Sequence, residues 1–181
     1  MTVKLSILAI CMGLLVAVVN LFGLLAPASV TAVARKFPRN TAIGYILMVI
    51  GTIWFLYNVS IESLADFESM KKFLFGLFIA IALGTCLFVK DFLAVRGLAI
   101  IMLLLGKLIV DSARWVDSEW RLVMVIWAYI MIIGGMWLTV SPWRLRDAIE
   151  YDTKTPQRLK MFSAARLAFG VFVAILGFVV F

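Results

Sequence analysis

Lys107 and Asp111 stand four residues apart inside a long apolar run, and this pair has the strongest claim to chemistry in the sequence. Four residues is about one helical turn, so on a helix the ammonium and the carboxylate share a face and can pair. A lysine at the centre of a membrane-spanning helix costs about 2.5–3.5 kcal/mol on insertion scales, so it normally has a partner or a wet cavity. Lys107 follows Arg96 by eleven residues. That is about 16 Å along a helix, somewhat past the middle of a bilayer. Two readings are open. In the first, the pair forms a polar site inside a bundle for an ion, a proton or an anionic ligand. In the second, the lysine stem extends to the interface, where Asp111 already stands.

The rest of the chemical kit is sparse. Histidine is absent, which removes the usual general base and the commonest metal ligand. Cys11 and Cys86 lie in apolar runs without metal-ligand spacing and read as small packing residues. No nucleotide loop, catalytic triad or paired intramembrane carboxylates occur. Catalysis would fall to Lys107, Asp111, Tyr45, Tyr57 or Tyr129, so no enzyme, cofactor or metal is expected. Arg144, Arg146, Arg158 and Lys160 lie in the basic segment Ser141–Lys160 and suit anionic lipid headgroups, or serve only as a topology signal. Ser141 and Pro142 predict the start of a short interfacial helix there. The charged stretch Asp111–Arg121, with Trp115 and Trp120, is a docking surface, a lid or a solvated turn. Asn58 with Ser60 matches a glycosylation acceptor, but it sits at a membrane edge.

The elements that must position these groups are membrane helices. The chain has 181 residues, 65% hydrophobic, against roughly 45–50% for a soluble domain, and only 15% are charged. Six apolar runs, at 5–26, 42–59, 73–89, 92–110, 122–140 and 162–181, predict an all-α bundle of six spans in one transmembrane domain. As αα-hairpins they group as 5–59, 73–110 and 122–181. The first run is too long for a signal-peptide core and is expected to be retained. The net charge of +7 sits in short loops, which points to membrane topology rather than nucleic acid. The loops after spans one, three and five hold eleven Lys and Arg against four acids. The other side holds six against six, with Glu62, Asp66 and Glu68 among the acids. Both termini are therefore expected outside. Trp54, Trp115, Trp120 and Trp143 fall near span ends and read as interface anchors.

The first and last helix pairs look alike. Pro27 and Pro142 each end a span and open a basic stretch, which contains Pro38 with Arg39 and Pro156 with Arg158 respectively. Each following span carries two glycines seven residues apart, Gly44 with Gly51 and Gly170 with Gly177, on one helix face. The copies would be a parallel repeat, with Arg96 and Gly97 a faint echo in the middle pair. This plan of hairpin, helix-ending proline, basic linker and glycine-bearing second helix resembles the small two-helix bacterial inner-membrane proteins of the YjeT type. The resemblance covers about 50 residues in each of two copies, 12–59 and 130–181. It implies a bacterial cytoplasmic-membrane protein with an accessory role and transfers no site residues. The longer chain and the middle hairpin depart from that family.

Small residues at spacing four, Gly76, Ala80 and Gly84 in span three, and Ala164, Ala168, Gly170 and Ala174 in span six, predict close helix packing within the bundle or against another subunit. Minimal loops and the poor catalytic kit favour a structural or accessory subunit, whose partners are membrane lipids and other membrane subunits or a second copy. The alternative is a small transporter, channel or substrate-binding subunit built on Lys107 and Asp111.

Overall fold

Hydrocarbon leaves backbone N–H and C=O groups without solvent partners, and the apolar runs satisfy them internally as helices. The computed structural model describes residues 4–62 and 70–181. Asp66 and Glu68, counted above among the acids, lie outside the described residues. In chain order the helices are α1 (Leu5–Leu25), α2 (Pro27–Lys36), α3 (Thr41–Ile61), α4 (Lys71–Phe88), α5 (Leu93–Ala113), α6 (Arg121–Val140), α7 (Trp143–Asp152) and α8 (Pro156–Val179), with a short 3-10 turn at Phe37–Arg39. No strand occurs among the described residues. Six of these helices are long and apolar enough to cross a membrane, and α2 and α7 are ten residues each. The chain is an all-α, multi-pass membrane protein.

The connections differ from the sequence reading in three places. The stretch after Pro27 is a helix, with the proline at its first position, where its missing N–H leaves no bond unmade. Ser141 does not cap α7 with its side chain; its carbonyl accepts from Arg144 N at 3.1 Å, and Pro142 holds the cap position. The last span begins at Pro156 rather than Phe162, and the Thr155 hydroxyl caps it by accepting from Arg158 N. Arg158, Lys160 and Arg166 therefore stand on α8 itself and not in a loop. Between α4 and α5 the chain reverses within Val89–Phe92, where Phe92 takes a left-handed φ of 56°.

Glycines decide the packing. α1 and α8 run antiparallel so closely that a Cβ on Gly13 would lie 2.6 Å from Ala174 N. A Cβ on Gly170 would lie 2.8 Å from both Ala17 N and Gly13 O. α3 and α5 run parallel, with Gly44 against Leu93 and Ala94, Gly97 against Leu47 and Met48, and Gly51 against Ile100. α5 also runs antiparallel to α6 through Gly106 on Ile132 and Gly135 on Leu103. Gly44, Gly51, Gly170 and Gly177 thus stand where neighbouring helices approach closely. Gly76 and Gly84 do not: nothing lies within 4 Å of a Cβ at either position, and Ala80 is exposed. The small-residue stripe of α4 faces away from the bundle.

The main helix contacts join α1 to α8 and order the others as α4–α3–α5–α6. They cross the hairpins 5–59, 73–110 and 122–181 rather than follow them, since the chief partner of α1 is α8 and that of α4 is α3. α4 holds α3 through the Phe55–Phe78 ring pair, with centroids 4.6 Å apart, and a hydrogen bond from the Tyr45 hydroxyl to Cys86 O at 3.3 Å. The two helix groups meet in a core of Leu5, Ala9, Ile109, Ala113, Met124, Ala128 and Val173, contributed by α1, α5, α6 and α8. Trp127 packs edge-on against Phe169 with centroids at 5.2 Å, tying α6 to α8. At the other end, α2, the 3-10 turn with its buried Pro38, and α7 gather beneath the bundle.

Candidate functional site

Polar side chains collect at the two ends of the bundle. At the end away from α2 and α7, the parallel pairing of α3 and α5 brings the last turn of α3 beside the turn that carries Lys107. The Lys107 ammonium donates to Asp111 Oδ2 at 2.7 Å and pairs with Glu62 Oε1, also at 2.7 Å. Glu62 is placed by the end of α3, where its N–H donates to Asn58 O. Trp54, Asn58, Arg114 and Trp115 are among the other residues that line the surrounding cleft of ≈ 260 Å³. The three charged side chains keep 43–50% of their surface uncovered. Lys107 therefore faces an open cleft at the bundle end, with its ammonium shared between two carboxylates. Such half-exposed pairs contribute about 0–1 kcal/mol each, so the cluster fastens α3 to α5 only lightly.

The sequence pairs Lys107 with Asp111 but does not reveal Glu62 as the second partner. A signal existed, since Glu62 closes the second span at the same end as Lys107, but using it requires knowing that spans two and four lie side by side. Asn58 Nδ2 donates to Trp54 O at 3.0 Å and Ser60 Oγ to Tyr57 O at 2.7 Å. The glycosylation-like triplet is thus wound into α3.

At the opposite end, Arg35 of α2 reaches the turn between α7 and α8. Its Nε donates to Thr153 Oγ1 and its Nη2 to Thr153 O, both at 3.0 Å. Thr153 is buried, and its hydroxyl donates in turn to Ile149 O at 2.7 Å. Arg166 on α8 pairs with Asp152. The four residues expected at lipid headgroups do not converge. Arg144 lies over the Trp137 ring at 5.9 Å, and Arg158 over Tyr151 at 5.0 Å. Lys160 is exposed on α8, and Arg146 pairs with Asp147 at 2.9 Å and with Glu150 at 3.8 Å. Of the four, only Arg146 borders a cleft of ≈ 550 Å³ between α2 and α7, together with Arg35 and Lys154. Arg35 and Thr153 are 118 residues apart in the chain, and no local spacing announces that they meet.

No protein-family model, curated protein or solved structure matches the chain. The class that the fold defines is a six-span helical membrane protein with short connections and a light polar cluster at each end.

Proposed function

We propose that this protein is a structural or accessory subunit of a larger membrane assembly and that it docks through α4. The bare face of α4 carries the reading. Ten of the twelve glycines have an atom of a neighbouring helix within 3.2 Å of a Cβ placed on them, whereas Gly76 and Gly84 have none within 4 Å. Glycine inside a helix costs roughly 0.5–1 kcal/mol relative to alanine and helps only where another backbone comes close. Gly76, Ala80 and Gly84 follow one another at the spacing that lets two membrane helices approach closely. The occupant that suits this face is a transmembrane helix of another membrane protein. In this reading the α2–α7 end is cytoplasmic, the membrane is a bacterial inner membrane, and the two helix–proline–helix segments are copies of one unit, in keeping with the YjeT-type resemblance. The chain itself performs no catalysis.

A second reading, a small transporter or substrate-binding subunit, is favoured by the cleft around Lys107. Against it, both carboxylates nearest the ammonium already hold it.

Purification in mild detergent with native mass spectrometry separates the two. The docking reading expects stoichiometric partner proteins, lost in Gly76→Leu and Gly84→Leu and kept in Lys107→Ala. A lone monomer or a homo-oligomer from native membranes, with the glycine variants unchanged, overturns it.

A further inference from the structure

The cleft between α2 and α7 is a built concavity at the level where a membrane surface must lie. α2 and α7 are each separated from the preceding membrane-crossing helix by only one or two residues, and each runs only ten residues before the chain re-enters the bundle. α7 exposes Trp143 and Tyr151, and Arg144 rests on Trp137, itself 58% exposed on α6. Exposed aromatics beside basic residues mark the headgroup layer.

Three cations enter the cleft from three separate segments: Arg35 from α2, Arg146 from α7 and Lys154 from the turn before α8. Two carboxylates, Asp147 and Glu150, line it as well. Arg35 is held in place because Nε and Nη2 are already bonded to the buried Thr153. A guanidinium has five N–H donors, so donors on Arg35 remain for a ligand. Lys154 is exposed, and among the described residues no ion pair engages its ammonium. The volume of ≈ 550 Å³ lies within the roughly 300–1,000 Å³ typical of small-molecule sites.

We infer that this cleft binds the zwitterionic headgroup of an ethanolamine phospholipid, with its phosphate between Arg35 and Lys154 and its ammonium on Asp147 and Glu150. The mixed charge of the walls sets the choice. A glycerol phospholipid can place its phosphate on the cations equally well but offers the two carboxylates no cation. A choline headgroup satisfies the charge but has no N–H to donate. A primary ammonium supplies three donors, and each carboxylate keeps acceptor positions beyond those used by Arg146. The site is separate from the α4 face and does not depend on what docks there.

The test is native mass spectrometry of the full chain, purified free of native lipid and titrated with phosphatidylethanolamine, phosphatidylglycerol and phosphatidylcholine of identical acyl chains. The expected result is preferential retention of one phosphatidylethanolamine. Lys154→Gln should lower that occupancy about tenfold, as loss of one charge-assisted contact would. Asp147→Asn combined with Glu150→Gln should shift the preference to phosphatidylglycerol while leaving the thermal midpoint close to that of the parent. Equal retention of the three lipids, or unchanged retention by Lys154→Gln, overturns the site. Competition by millimolar O-phosphoethanolamine supports recognition through the headgroup; binding of O-phosphoethanolamine with no retention of phosphatidylethanolamine overturns the lipid as occupant and assigns the cleft to a soluble phosphate ester.

Discussion

α4 and α5 follow one another in the chain, separated by Val89–Phe92, and both are long and apolar enough to cross a membrane. α5 buries ten residues and packs on α3 along one side and α6 along another; α4 buries none and rests chiefly on α3. Both carry two glycines. Gly97 and Gly106 receive neighbouring side chains, while Gly76 and Gly84 receive nothing. In lipid, apolar character does not drive one helix onto another, because the tails are as apolar as leucine; close surface fit and polar contacts do. The two helices therefore differ by neighbourhood and not by composition, and it is on the bare glycine face of α4 that the proposed docking rests.

The largest expected effect breaks this comparison from the packed side. In Gly13→Leu or Gly170→Leu the new side chain points at backbone of the facing helix, at 2.6–2.8 Å from the first added carbon. Backbone in a packed helix pair cannot step aside, so a loss of about 3 kcal/mol or more is expected, read as a collapse of the thermal midpoint in detergent. Gly76→Leu and Gly84→Leu, with open space around them, should stay within about 0.5 kcal/mol of the parent while abolishing the native complex. If they destabilise the isolated protein as Gly13→Leu does, the α4 face is not a free surface and the contrast fails.

Smaller effects sharpen the contrast between the two ends. Thr153→Val removes a buried hydroxyl that accepts from a guanidinium and donates to Ile149 O. It should cost about 1.5–3 kcal/mol and speed hydrogen exchange in α2 and the α7–α8 turn. Lys107→Ala comes last, at about 0–1 kcal/mol, because its two ion pairs are half exposed. A thermal shift for Lys107→Ala as large as that for Gly13→Leu would show that the Lys107 cleft bears the fold and would break the contrast.

Much of the architecture was legible in the sequence because a bilayer imposes it residue by residue. Twenty or so apolar residues between charged punctuation must be a helix, and the described spans agree with the expected ones to within a few residues, except at Pro156. There, charged residues on the first turns of α8 hid a helix that composition alone cannot distinguish from a basic loop. The Lys107–Asp111 pair was legible because four residues on one helix fix their own geometry. The partners Glu62 and Arg35 were not.

The sequence by itself determined helix type, span number and the one-turn pairing of Lys107 with Asp111, since these depend on local backbone geometry and on hydropathy. Tertiary structure alone decided that α1 lies on α8, that α3 runs parallel to α5, and that the glycines of α4 face outward. The physical reason is that most of the spans are apolar on nearly all sides, so no apolar stripe in the sequence marks which face is inside. That choice falls to the fit of backbone against backbone, which arises only when two distant helices meet.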